Sequence, residues 1–456
     1  MYLNKFLTDY DESLSSDLNI DQLGQLVIWS AWGQQIFHNS ISSVANDVRH
    51  YTLNLLHHYI VKSVVDDDTL QLSQLLKKRY SFKDELHFKT ALLIHLENIY
   101  TFSMLEAQSK NVVTTGVLGI IKARQKWNDE SENPRIIFGH GAECQLLNNQ
   151  MSLGTNGRYK TPMMNLKFFD RQYRYDRQEA QAVWLRAKAF IEKEPKLRKV
   201  SREALAWLRS LLTQNHKKSL NIPFREIPDA LCNAYVKAFP SSPAVGEYAK
   251  DFWLEMTQLN QGAAGMLYQV LEKTNSEEAL PEVIFARASQ HAAKKLPEDE
   301  CQKLNNIVQA EPFLALINLL FNAMLRQKKQ TLAEVATFWR GQGLNARTLP
   351  AKAAQLRQIP QLMASLTGTP KNRFEALLDV ASAKTLEGQA AALLDYHAGL
   401  MTARGQIPWV MLNDRRLEVH IPPRPFKEAQ NYPHWVNNYY LPQFKYMIAG
   451  LRGTAA

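Results

Sequence analysis

Along most of this chain apolar residues recur three and four positions apart, the spacing of a helix with one buried face. A helix is predicted from Asp21, as its cap, to about Asn39, with Leu23, Leu26, Val27, Trp29, Ile36 and Phe37 mostly on one side. Further helices are predicted over residues 40–63, 67–79 and 117–127. Between 82 and 108 the stripe is long and regular (Leu86, Leu93, Leu96, Ile99, Phe102, Leu105). Asp176 and Glu179 have capping-box spacing ahead of Ala180, Val183, Trp184, Ala187 and Ile191. Ser201 is expected to cap a helix over 202–214, which leaves 195–202, PKLRKVSR, as a basic connector. The Pro/Ser run at 239–243 is the clearest linker signal, with 216–228 as a second candidate.

From 245 to 404 the pattern is almost wholly helical. Segments are predicted near 247–258, 263–273, 281–295, 298–309, 312–328, 331–341, 350–367, 371–383 and 387–403, with no fixed repeat. The last fifty residues change character. Residues 406–412 and 417–421 alternate around Asn413 and Asp414 as a β-hairpin would. The tail then concentrates Tyr432, Trp435, Tyr439, Tyr440 and Phe444, aromatics expected to cap a core.

The stretch 145–176, QLLNNQMSLGTNGRYKTPMMNLKFFDRQYRYD, reads as a short helix, a turn at 153–156 and a second helix over about 157–169. Gly154 or Asn156 suits a left-handed turn residue. Tyr159, Met163, Leu166 and Phe169 would form the buried stripe, with Pro162 tolerable only if the helix starts nearer Thr161. Asn156, Arg158, Lys160, Asn165 and Lys167 would then face outward, followed by Arg171 and Arg174. That is the arrangement of a DNA-binding helix–turn–helix, with cations for phosphates and amides for base edges. A short strand near 135–140 or 173–175 would make the region winged-helix-like.

Charge sharpens this picture. The 456 residues carry a formal net charge of +10, and its distribution is uneven. Residues 1–110 hold 9 Lys and Arg against 13 Asp and Glu, and residues 221–456 hold 25 against 21. Residues 111–220 hold 20 against 10, so the excess coincides with the helix–turn–helix-like stretch. Lys122, Arg124 and Lys126 extend it toward the N-terminus. A polyanion is the partner such a segment suits.

Catalytic and metal signatures do not emerge. Cys144, Cys232 and Cys301 are far apart and form no CxxC, which fits a reducing compartment and excludes a cysteine zinc site. No GxxxxGK[ST], HExxH or GxSxG occurs, and Gly341-Gln342-Gly343 lacks a third glycine at dinucleotide-binding spacing. His57-His58 and the pair His87, His95 lack the i, i+4 spacing of a chelating helix. His140 and Glu143 have no nucleophile nearby in sequence. The N-terminus lacks a signal-peptide core, and the apolar run 312–325 is interrupted by Asn318 and Asn322.

The expectation is therefore a mainly α protein, soluble and cytoplasmic, without cofactor, metal or membrane partner. It divides into a helical region 1–110, a basic helix–turn–helix-like or winged-helix-like region 111–220, a helical interaction domain 243–405, and a β-hairpin with aromatic tail, 406–456. The expected role is a non-enzymatic DNA- or RNA-binding subunit of a larger assembly, contacting other protein subunits through the C-terminal helices. A bacterial restriction or anti-phage defence complex is the expected setting, on the general character of the chain and on no single residue. A helical scaffold without nucleic-acid binding, or a nuclease with a dispersed site, are the alternatives.

Overall fold

The computed structural model describes residues 21–108, 112–214, 220–273, 280–414, 416–424 and 435–453. It is mainly helical, with twenty helices and five short strands among the described residues. The described residues form two compact units, one of residues 21–38 and 259–442, the other of 39–258 and 443–453. This division cuts across the four stretches suggested by pattern and charge. The Pro/Ser run at 239–243 lies inside one unit, where Phe239 and Ser242 are buried. It is a helix-to-helix turn, with Ser241 capping the next helix through the Ala244 amide. Tyr432 lies outside the described residues.

The described residues open with α1 (Leu26–Phe37), four residues later than its predicted start, because Asp21 caps a turn and accepts from the Gln25 amide. The second unit then begins. Its helices are α2 (Val48–Val65), α3 (Gln74–Arg79), α4 (Leu86–Glu106), α5 (Ile120–Asp129), α6 (Gln150–Leu153), α7 (Thr155–Asn165), α8 (Gln178–Lys193), α9 (Pro195–Thr213), α10 (Asp229–Ala238) and α11 (Ser242–Thr257). Strands β1 (Arg135–Ile137) and β2 (Asn221–Pro223) pair antiparallel, Ile136 opposite Ile222. The partner of β1 thus comes from far along the chain, and no local wing forms beside α7. Residues 173–175 are not a strand.

Helices α2 and α4 form the core of this unit and are buried around nearly their whole circumference. α7, α9 and α11 pack on α2, while α5 and α10 pack on α4. Each buried Leu, Ile or Phe here contributes roughly 1.5–3 kcal/mol. Burial on all sides also encloses Arg49, His57, His58, Lys89, Glu97 and Asn98, and each of these polar groups has a partner inside the fold. α20 (Leu441–Leu451) closes the unit late in the chain, with Phe444, Met447 and Ile448 buried. Its backbone touches that of α11: a Cβ on Gly246 would fall 1.8 Å from the Gly450 carbonyl oxygen, so only glycine fits.

The other unit continues with α12 (Gly262–Lys273), α13 (Pro281–Ala292), α14 (Glu298–Met324), α15 (Leu332–Gly341), α16 (Thr348–Arg357), α17 (Pro360–Ala364), α18 (Gly368–Val380) and α19 (Leu386–Ala403). The two helices predicted over 298–328 are one, with Pro312 in its interior. Proline removes one backbone donor there, and packing of the flanking apolar turns keeps the helix continuous. α14 is long and apolar enough by composition to cross a membrane, and most of it is buried as a core helix. Conversely, the helix predicted over 350–367 is two, divided before Pro360. Strands β3 (Lys329–Thr331), β4 (Val410–Asn413) and β5 (Arg416–Val419) form a small antiparallel sheet in the order β3-β5-β4. Glu311 of α14 holds the segment after it, accepting from the Val436 and Asn437 amides (2.6 and 2.8 Å), the Asn437 side chain and the Tyr439 hydroxyl.

Candidate nucleic-acid interface

The stretch 145–176 is not a helix–turn–helix. α6 has four residues and is joined to α7 by Gly154 alone, whereas such motifs join two full helices through a three- to four-residue turn. Side chains hold the preceding residues out of a helix: Leu146 N donates to Gln150 Oε1 (2.8 Å), and Gln150 N to Gln145 Oε1 (2.6 Å). Neither Gly154 nor Asn156 is left-handed, and Asn149 is, at φ 59°. Gly154 serves another purpose, since a Cβ there would lie 2.6 Å from Glu97 Oε2. α7 starts at Thr155, well before Thr161, and carries Pro162 inside it.

The inner face of α7 is clamped by buried polar groups from α2 and α4. Glu97 accepts from the Thr155 amide at the first turn and from Gln150 Nε2 (2.9 Å), and Gln150 also donates to Asn98 Oδ1 (3.0 Å). Burial pushes the Glu97 carboxyl above its ordinary value, with these donors pulling against it. The Tyr159 hydroxyl accepts from the Asp47 amide at 3.0 Å. Asn156 places Oδ1 2.7 Å from His58 Nε2 and donates from Nδ2 to the Tyr173 hydroxyl at 2.6 Å. The Tyr175 hydroxyl completes the imidazole's partners at Nδ1, 2.8 Å away. Burial lowers the His58 pKa to about 3, so the ring is neutral, donating to Asn156 and accepting from Tyr175.

These contacts reassign the predicted site residues. Asn156 is buried with its amide engaged, so it presents nothing to a base edge. Arg158 is half-buried and its Nε donates to Leu153 O (3.0 Å). Lys160 is half-buried, donates to Arg171 O (3.0 Å) and lies over the Tyr173 ring at 4.3 Å. It braces the loop after α7. Burial, with the Arg171 charge, lowers its pKa. Asn165, Lys167 and Arg171 are exposed. Arg174 is exposed and paired with Asp170, its Nε 2.6 Å from Oδ2. Lys160, Arg171 and Arg174 thus cluster at one loop. Lys122, Arg124 and Lys126 on α5 lie elsewhere, with Arg124 donating to Gln108 (3.1 Å) and Lys126 to Arg135 O (2.7 Å).

A denser cationic surface lies on the stretch whose composition predicts a basic connector. Residues 195–202 are the first two turns of α9, with Pro195 at the first position and Glu194 as the cap, accepting from Lys196 N (3.1 Å). Ser201, the expected cap, is buried mid-helix. Likewise α8 starts at Gln178 without the expected capping box. α9 buries Leu197, Val200, Ala204, Leu208 and Leu211. Its opposite side carries Arg198, Lys199, Arg202 and Arg209, all exposed, and the end of α8 adds Lys188 and Lys193. Arg198, Arg202 and Arg209, at i, i+4 and i+11, fall within about 40° of arc and span about 16 Å. Arg202 pairs with Glu203 (2.8 Å) and Arg209 with Asp67. Three cations in the first five residues, Lys196, Arg198 and Lys199, oppose the helix dipole at roughly 0.3–1 kcal/mol each; Arg198 Nη1 reaches back to Glu192 O (3.3 Å) and Lys196 lies over the Tyr248 ring at 5.3 Å. Pro195 was the available signal for the true helix start.

Among the described residues no three His, Cys, Asp or Glu side chains converge as metal ligands. His140 stacks on His87 at 4.4 Å, and burial pushes the neighbouring Cys144 thiol to about 11, leaving it protonated. Comparison with protein-family models, with curated proteins and with solved structures finds no match.

Proposed function

We propose that this chain is a non-enzymatic DNA-binding subunit of a cytoplasmic assembly, with the outer face of α9 as its main phosphate-contacting element. The observation that carries this reading is the cationic first half of α9, placed where the helix dipole disfavours it, within the segment that holds the net positive charge. That face offers guanidinium and ammonium groups without an Asn or Gln beside them, a set that grips phosphates and does not read bases. The exposed Lys167 and Arg171 supply further contacts. The helices of residues 259–442 are the part left for other protein subunits.

The test is a fluorescence-anisotropy titration of a labelled duplex at several salt concentrations. Log affinity should fall against log salt with a slope of about −0.9 per phosphate contacted. Replacing Arg198, Lys199 and Arg202 together by Ala should flatten the slope by about two to three units, with melting unchanged because these charges are exposed. A triple variant that binds with the parental slope would remove α9 from the interface. Salt-insensitive binding by the parent would remove the proposal itself.

A further inference from the structure

At the end of the β1–β2 ribbon lies an open groove of about 570 Å³, lined by Glu130, Ser131, Asn133, Arg135, Pro223 and Arg225. That size is within the range of small-ligand sites. Its walls are tied to each other by backbone amides: Arg225 N donates to Asn133 Oδ1 (3.0 Å), Phe224 N to Pro134 O (2.9 Å) and Arg135 N to Glu130 Oε2 (2.6 Å). The guanidiniums of Arg135 and Arg225 are exposed and make no ion pair among the described residues. The one acid in the lining is already engaged. Glu130 Oε2 takes the Arg135 amide, and Oε1 lies 3.9 Å from Lys126 Nζ, which also donates to Arg135 O. With Lys126 balancing Glu130, the groove is left with two guanidiniums, a hydroxyl and an amide. Glu132 and Glu226 are neighbours in sequence and do not line it.

We infer that this groove binds a phosphate monoester, gripped by Arg135 and Arg225. Two planar guanidiniums in a preformed groove match a dianion that accepts paired hydrogen bonds, a fit a lone ammonium does not give. The lining contains no aromatic ring to stack a base, so the phosphate is the recognised group. Its source is a free nucleotide or the phosphorylated end of a nucleic-acid strand. The inference stands apart from the reading of α9, whose charges would meet phosphodiesters along a strand.

The experiment is calorimetric titration of the full chain with adenosine 5′-monophosphate, and with adenosine as the phosphate-free control. The monophosphate should bind at least about tenfold tighter than adenosine, and Arg135→Ala and Arg225→Ala should each remove most of that difference. Both side chains are exposed, so ligand-free melting should stay at the parental value. Arg135→Lys keeps the charge without the fork and should bind between parent and Arg135→Ala. Equal binding of monophosphate and adenosine, absence of binding to either, or alanine variants that bind like the parent would overturn the inference. Two copies of one duplex, with 5′-phosphate or 5′-hydroxyl ends, separate the sources. A preference for the phosphorylated end that Arg225→Ala abolishes assigns the strand end, and a gain seen only with the monophosphate assigns the free nucleotide. The α9 triple variant should keep this phosphate preference in full, so the two readings fail separately.

Discussion

Replacing Asp47 by Ala removes the anchor of a buried ionic cluster. Its carboxylate caps α2 through the Arg49 amide (2.7 Å), accepts from Ser242 Oγ on α11 (2.8 Å), and lies 3.9 Å from the Arg49 guanidinium. His50 is 3.6 Å away, but burial lowers its pKa to about 4, so at neutral pH Arg49 supplies the counter-charge. Loss of a cap costs about 1 kcal/mol, and loss of one partner of a buried pair about 3–5 kcal/mol, overlapping terms here. Arg49 keeps its bonds to Val113 O and Thr115 O (2.7 and 2.9 Å), which places the expected loss near the lower end, about 3 kcal/mol. For a unit of this size that is a fall in Tm of about 6–12 °C, read by calorimetry at neutral pH. Asp47→Asn keeps the acceptor oxygen and should lose less. Burial raises the Asp47 pKa, and His50, Arg49, Ser242 and the Arg49 amide together bring it below the ordinary 3.8. Its stabilisation is therefore present above 3.8 and lost as pH falls through the lower folded value, so the asparagine variant should lose less stability in acid than the parent. An Asp47→Ala protein melting within about 2 °C of the parent would refute the account of Arg49 as a charge that needs Asp47.

Two further outcomes follow from buried carboxylates. Glu97 has its pKa raised above 4.5 chiefly by burial, so the folded state holds a proton the unfolded state releases, and stability should decline as pH rises from 4.5 toward the folded value. Glu97→Gln should flatten that decline in urea-denaturation series, and an unchanged slope would count against it. Glu311→Ala leaves the Val436 and Asn437 amides without their acceptor, so limited chymotrypsin digestion should cut faster at Trp435, Tyr439 or Tyr440 than in the parent. Equal cleavage rates would show that Glu311 does not hold the segment.

The stripes that face a core on one side were legible in the sequence. Ala180, Trp184, Ala187 and Ile191 of α8 are buried as their spacing predicts. What periodicity could not show is burial of polar residues whose partners come from distant segments. Asn156 looks like a surface amide, yet its imidazole partner lies on α2, 98 residues away. Glu97 likewise depends on Gln150 and Thr155. The helix–turn–helix expectation failed in part for this reason: Asn156, assigned outward, is drawn in by His58 from outside the motif, and Arg158 and Lys160 turn to backbone carbonyls, while Asn165, Lys167, Arg171 and Arg174 are exposed. The start of α9 is legible locally, in Glu194 as cap and Pro195 at the first position, whereas Ser201 suits a cap by residue type and is buried mid-helix. The continuity of α14 through Pro312 shows tertiary packing overriding a residue that propensity treats as a break.

The close approach of Gly246 to Gly450 bears on the order in which the protein is made. Residues 39–258, which include Val48, Ser242 and Gly246 against which Gly450 packs, are synthesised well before α20. At roughly 5–20 residues per second, synthesis takes about ten to forty seconds to reach residue 443. Through that interval the surface that Gly450 packs against lacks its helix and is open to chaperones, or to the same helix of another nascent copy. Maturation of this unit is thereby timed by translation of the residues that separate its two parts.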